Sequence, residues 1–382
     1  MPYRLTLPAR INILGNPSDA NEGDFATIST AIEMRAGAHI QDAQDLILEI
    51  LTHDPYQSAN VPKIIARGEF KQNDFPLQYD GPLDLMKGAV NRLYRYSPEL
   101  RQRLPEKGVK ISIWSDVPRQ SGLGGSSLFV LLTLAGLRAF YNLDPFLHND
   151  YVLSELTQRV EAKELGIAAG FADRYVPLFG GLAYLDYRGK LWHQPINHEP
   201  YVTYEHLNTR VVLPMVAIST GIKHDSGDVH GRMRPRYLEE FANWQKNGGE
   251  MPPMVRFMTS AWDTAWQGKI ALLSNNLASF GELMKINHQI VNEMMIYCGF
   301  EDGAGWANNL FIDIALKNGA LGAKLTGAGG GGSVFALVRP REERKLLNTW
   351  QHEASRANLT EAWIYRPRVA RRGLTIKYFP QE

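Results

Sequence analysis

A chain of 382 residues exceeds one ordinary domain and suits two that share a cleft, and 44% apolar residues supply two ordinary cores. Its 41 lysines and arginines nearly balance 40 acids, a formal charge of +1, which excludes a bulk attraction to nucleic acid or to an anionic membrane. The single cysteine, Cys298, excludes an internal disulfide and a thiolate metal cluster, and reads as a small apolar filler in a reducing cytosol.

The N-terminus alternates Leu5, Leu7, Ala9, Ile11 and Ile13 with Arg4, Thr6, Pro8, Arg10 and Asn12, which predicts a half-buried strand rather than a signal peptide. Arg10 and Asn12 share its polar face. A turn-rich stretch, Gly15 to Asp19, follows. Residues 28–40 predict a strand pair, 52–82 a loop-rich stretch, and 84–96 a helix. Val109, Ile111 and Ile113 predict a strand. The run from Ser127 to Asn142 is apolar nearly all round and predicts a buried helix. It is too short and too interrupted to span a membrane, so a cytoplasmic protein is expected, monomeric or homodimeric. A helix follows at 154–165, with strands at 182–186 and 210–219.

A composition shift at 195–210 places a boundary there, dividing the chain into 1–205 and 206–382. Beyond it, helices at 254–298 and 303–318 precede strands at 320–325 and 333–338. The aromatic-rich stretch from Tyr237 to Trp266 either covers a ligand or packs the second unit. Strands and helices mix without a regular βαβ repeat, which favours α+β.

Two glycine loops stand out. In the first, Asp116 to Ser127, a strand enters, Gly122, Gly124 and Gly125 turn the chain, and an apolar helix leaves. Such a turn suits an anion at the helix N-terminus, with Ser126 and Ser127 offering oxygens to phosphate or magnesium. It equally suits a plain turn whose serines cap the helix. No Walker loop and no protein-kinase signature occurs. The second loop, Lys324 to Ser333, holds Gly327, Gly329, Gly330 and Gly332. The apolar run after it reads as a strand, not a helix, which rejects a dinucleotide fingerprint. So many glycines predict close approach of backbone to a ligand. Between the loops lie two acids, Glu161 and Asp173. Spacing alone reads them as a surface ion pair and a helix cap.

Together these segments resemble the GHMP kinases, the family that includes galactokinase and mevalonate kinase. Pro8 to Gly15, Pro118 to Ser127 and Lys324 to Ser333 resemble its three motifs, in the family's order. The resemblance implies an α+β fold with an N-terminal domain like ribosomal protein S5 domain 2 and a ferredoxin-like C-terminal domain. It also implies phosphoryl transfer from Mg2+-bound ATP to a small molecule. By position, ATP falls to Gly122, Leu123, Gly124, Gly125, Ser126 and Ser127. Magnesium falls to Ser126 and Glu161, and catalysis to Asp173 with Arg10. Substrate falls to Asn16, Asp19, Asp173, Gly327, Gly329 and Gly330. The first loop departs from the family at Gly125, where a serine is usual, at Ser127, where alanine is, and at Gln120 and Ser121. Three stretches, Leu14 to Asp19, Glu164 to Arg174 and Asp225 to Arg236, are similar to those of glucuronokinases. That likeness implies the anomeric hydroxyl of glucuronate as acceptor. Its carboxylate calls for a cation, for which Arg232, Arg234, Arg236 and His230 are available, Arg236 foremost, and the same cluster equally suits a solvated basic face.

Overall fold

The computed structural model describes residues 2–21, 25–55, 61–118, 120–167, 170–188, 201–208, 212–222 and 226–378. The chain opens with strand β1, Tyr3–Leu14, whose inward side chains from Leu5 to Ile13 are fully buried. From Pro8 onward its polar face is buried too, so it is half-buried only at its start.

Strand β2, Ala26–Ala43, is one long element where a strand pair was expected. β1 runs along its whole length, and the register jumps from Pro8 opposite Arg35 to Ala9 opposite Ile32. Glu33 lies in that bulge. The other edge of β2 serves two partners. Strand β5 (Gly108–Ser115) takes Ala36 to Ala43, and β6 (Leu182–Asp186) takes Ala26 to Thr30. Strand β3 (Leu46–Leu51) pairs parallel with β5 and antiparallel with β4 (Ile64–Phe70). The expected loop at 52–82 therefore contains a strand. β4 is an exposed edge, so its alternation is weak. β7 (Thr203–His206) extends β6.

Helices α1 (Asp84–Tyr96), α2 (Pro98–Arg103), α3 (Gly125–Phe140), α4 (Asp150–Arg159) and α5 (Ala172–Phe179) belong to this first unit. As expected, α3 is wrapped in apolar neighbours, with Leu128, Leu131, Leu132 and Leu134 inaccessible to solvent. The chain after α4 widens into a π turn, Val160–Glu164, closed by Leu165 N donating to Val160 O at 3.1 Å.

The second sheet comprises β8 (Met215–Ser219), β9 (Gly322–Thr326), β10 (Ser333–Leu337) and β11 (Trp363–Tyr365), all antiparallel, in the order β11-β8-β10-β9. Between β8 and β9 run α6 (Ser226–Asn247), α7 (Pro253–Leu273), α8 (Leu277–Tyr297) and α9 (Trp306–Lys317). Helix α10 (Glu343–Arg356) joins β10 to β11. Counted along the chain, the strands lie 4-1-3-2 across the sheet, the split-βαβ order of a ferredoxin-like unit. Phe311 and Trp350 stack its helices on the sheet. The aromatic stretch packs a further core, in which Tyr237 meets Phe25 and Met233 and Met258 meet Ala20.

The division at 205/206 cuts β7 before its last residue, His206, and the boundary read at 195–210 lies partly on residues outside those described. One element crosses that division. Strand β12, Thr375–Tyr378, returns to pair with β1, so the chain's last described residues belong to the first sheet. Among the described residues no helix is long and apolar enough to cross a membrane.

Candidate active site

The polar end of β1, the start of α3, the π turn and the start of α5 converge on one cleft of about 720 Å³. Gly122 (φ +71°) and Gly124 (φ +82°) occupy left-handed backbone that turns β5 into α3. Gly124 caps the helix, and the first turn, with Gly125 and Ser126, opens onto the cleft. Its unpaired N–H groups and the helix dipole create a site for an anion. Arg10 pins this loop from below. Its main-chain N donates to Leu123 O at 3.3 Å and its Nη1 to Gly122 O. Leu123 is itself buried and faces the core, so its contribution is main chain only.

Glu161 lies in the π turn, 1% exposed, and lines the cleft. Ser126 Oγ donates to its Oε1 at 2.9 Å, and Ser127 Oγ bridges both oxygens at 3.1 Å. Arg174, wholly buried, donates to Oε2. This is no surface ion pair. Arg174 takes one carboxylate oxygen, and the other faces the loop. Among the described residues no cluster of three acidic, histidine or cysteine side chains could hold a metal by itself. A serine hydroxyl beside one carboxylate oxygen fits a hard cation such as magnesium, which completes its shell with nucleotide phosphates.

Asp173 sits in the first turn of α5. Arg10 grips it with two nitrogens, Nε to Oδ1 at 2.6 Å and Nη2 to Oδ2 at 2.5 Å, and Asn12 Nδ2 adds a 3.4 Å contact. Burial alone would raise its pKa, but the charges of Arg10 and Arg174 and these hydrogen bonds hold it below the usual 3.8. Asp19, on a short 3-10 turn after β1, accepts from Ala172 N at 3.0 Å and so caps α5. A Cβ on Gly170 would collide with its carboxylate, which explains that glycine. Burial, then the nearby Asp173, push Asp19 up to about 6. The two acids of one cleft are thus driven apart.

The same arrangement of chain is found in known proteins. The family model described as "GHMP kinases N terminal domain" matches residues 84–181, and "GHMP kinases C terminal" matches 309–356. A protein of Arabidopsis thaliana named "Probable glucuronokinase 2" is 31% identical over 342 residues, covering 88% of this chain and 85% of that protein. The chain belongs to the GHMP kinase family. It is accordingly an ATP-dependent phosphotransferase. "Glucuronokinase 1" of the same plant is 29% identical over 355 residues, covering 92% of this chain and 89% of its own. Among solved structures, galactokinase of Lactococcus lactis with galactose superposes with a TM-score of 0.75 at 20% identity, over 98% of this chain and 95% of that one.

The kinase's second glycine loop differs from its expectation. Only Gly327 and Ala328 line the cleft. A Cβ on Gly327 (φ +85°) would stand 2.9 Å from Gly122 Cα, and one on Gly332 3.2 Å from Ser121 C. Ser333 Oγ donates to Ser121 O at 2.6 Å. The close backbone approach is therefore between the two glycine loops. Gly329 abuts Met295, and Gly330 N donates to Ala304 O at 2.9 Å, and neither lines the cleft.

Arg236 is a further correction. It lies over the Tyr297 ring at 4.1 Å and donates to Tyr297 O, away from the cleft. Arg232 pairs with Asp228 and Arg234 bonds Ala20 O. His230 is the member of that basic group that lines the cleft, and it is buried. Residues 168–169 and 225 of the similar stretches lie outside those described. For the nucleotide's base, sequence reasoning offers Trp114 and the 84–96 helix, by proximity to the first loop; Leu85 of that helix lines the cleft's apolar end, with Ile50, Leu51, Ile65, Val117 and Phe129, which it did not single out. The alternation Leu46, Leu48, Ile50 was the available signal. Trp114, close to the loop in sequence, instead packs over Gly37 and His39.

Proposed function

We propose that this kinase transfers the γ-phosphoryl group of ATP to a sugar hydroxyl, with the anomeric hydroxyl of D-glucuronate as the acceptor. The observation that carries this reading is the convergence on one cleft of an anion-binding helix start, Glu161 beside it, and Asp173 with Asp19 and Asn16 beyond. The triphosphate lies over Gly122 to Ser127, with its base in the apolar end near Leu51, Ile65 and Phe129. The acceptor lies between Asn16, Asp19 and Asp173. Its identity as a sugar, and as a uronate, is supported by the two Arabidopsis thaliana relatives.

Ser126 and Glu161 Oε1 would hold magnesium, which neutralises charge on the phosphates. Asp173, kept ionised by Arg10, orients the acceptor hydroxyl toward phosphorus. The acceptor oxygen bonds to the γ-phosphorus as the bond to the ADP oxygen breaks. A carboxylate of lowered pKa is a weak base, so the hydroxyl proton passes to Asp173 late, as the new P–O bond forms, which loose phosphoryl transfer permits. Arg10 also offsets charge on the migrating group. His230 is the side chain of the basic group that reaches the sugar's carboxylate, in place of Arg236.

An ADP-release assay across glucuronate, galactose, neutral hexoses, a heptose phosphate and mevalonate tests the proposal. Preference for glucuronate supports it, and turnover of mevalonate alone overturns it. Ser126→Ala is expected to move the magnesium requirement to higher concentration. Superimposed magnesium titrations of variant and parent would remove Ser126 from the metal site.

A further inference from the structure

Lys324, in the middle of β9, is fully buried. Its Nζ donates to Asn16 Oδ1 at 2.7 Å and to Leu325 O at 3.1 Å. Burial pushes its pKa down to about 7, and no neighbouring charge offsets that. A leucine or methionine would fill this space without the desolvation cost, so space-filling does not account for the residue. An ammonium only donates hydrogen bonds, so it must meet the oxygen of the Asn16 amide. That fixes the amide's orientation. Its nitrogen reaches toward Gly327 O at 3.4 Å, and a second N–H remains for a ligand in the cleft that Asn16 lines.

We infer that Lys324 is a positioning residue for the acceptor: it holds Asn16 with its amide hydrogens toward the cleft and biases that end toward an anionic acceptor. The inference rests on the acceptor site proposed above, and it adds the chemical class that site selects. While protonated, the lysine is a cation one residue removed from the ligand and acts without contacting it. The bonds of Arg10 to Asp173 and of Ser126 to Glu161 involve neither Lys324 nor Asn16, so the change leaves them in place.

The test is Lys324→Met, assayed for kcat and for the KM of ATP, glucuronate and a neutral hexose. The expected result is an unchanged ATP KM and kcat, with the glucuronate KM rising about tenfold and the hexose KM rising less. An equal rise for both acceptors, no rise for either, or a parallel loss of ATP affinity overturns the inference. If Lys324→Met does not fold, Asn16→Asp replaces the donor by a carboxylate and keeps a partner for the lysine. It should penalise glucuronate more than hexose, and equal penalties overturn the inference. A parent enzyme that phosphorylates neutral hexoses and no uronate also overturns it, while the sugar-kinase reading stands. If mevalonate alone is turned over, the sugar reading fails. The comparison of mevalonate KM with ATP KM in Lys324→Met still decides the role of Lys324.

Discussion

Asp173 and Asp19 face the same cleft with opposite electrostatic fates. The guanidinium of Arg10 keeps Asp173 charged, whereas burial holds Asp19 on the edge of protonation near pH 6. Asp173→Asn should lower kcat by at least about a hundredfold while ATP affinity, measured by calorimetry, stays near the parent's. Equal turnover would remove Asp173 from the reaction. Asp19 predicts a pH dependence: acceptor kcat/KM should fall as pH drops through about 6, and Asp19→Asn should abolish that limb. Its stability effect has the opposite sign to that of a salt-bridged acid. Because its folded pKa lies above the unfolded value, the folded state binds the proton more tightly. Stability is then greatest below pH 3.8, declines up to about 6, and is flat above. At pH 7.5 the charged carboxylate costs at most about 3 kcal/mol, so Asp19→Asn should raise the melting temperature there and not at pH 4. Equal melting shifts at both pH values would contradict this.

The glycine loops show what an element's sequence conveys and what it conceals. The helix start after Gly124 was legible, because a strand, three glycines and an apolar run leave few alternatives. The second loop was legible as unusual and as leading into a strand. Its partner was not, because no local pattern says that Gly327 will meet Gly122, 205 positions away in sequence. The same limit applies to β2. It reads as a strand pair until β1 is known to run beside it through the bulge. Arg236 failed for a helical reason: of the basic side chains along α6, only those on one face can reach the cleft, and which face depends on packing against Phe25 and Met258. Arg174 was visible beside Asp173, but its grip on Glu161 depends on the π turn. Gly327→Ala should therefore lower stability by roughly 1–3 kcal/mol, from positive φ and from collision with Gly122. Thermal unfolding without nucleotide measures it. An unchanged melting temperature would show that the two loops are not in contact.

At the scale of the molecule, the two sheets are joined where the chemistry is proposed. Asn12 N donates to Thr326 Oγ1 at 3.0 Å, Ser333 Oγ to Ser121 O, and Lys324 to Asn16. Each bond runs from one sheet's unit to the other's. The α+β class was legible in the mixture of strands and helices. The ferredoxin-like order was implied by resemblance only, since strand order is a long-range property. β12 escaped notice because four mostly exposed residues carry little pattern. Removing residues from Thr375 onward should lower the melting temperature of the entire chain, since it strips the outer partner from β1, the strand that bears Arg10 and Asn12. Retention of full activity and melting temperature would show β12 to be dispensable.

The pairing of Tyr3 with Tyr378 also bears on how the molecule is made. A nascent chain emerging from the ribosome can assemble most of its first sheet early, but the edge beside β1 stays open until Thr375–Tyr378 has been made. The sheet that bears Arg10 and Asn12 is then completed only after the second sheet's strands have been made, although its own first strand precedes them.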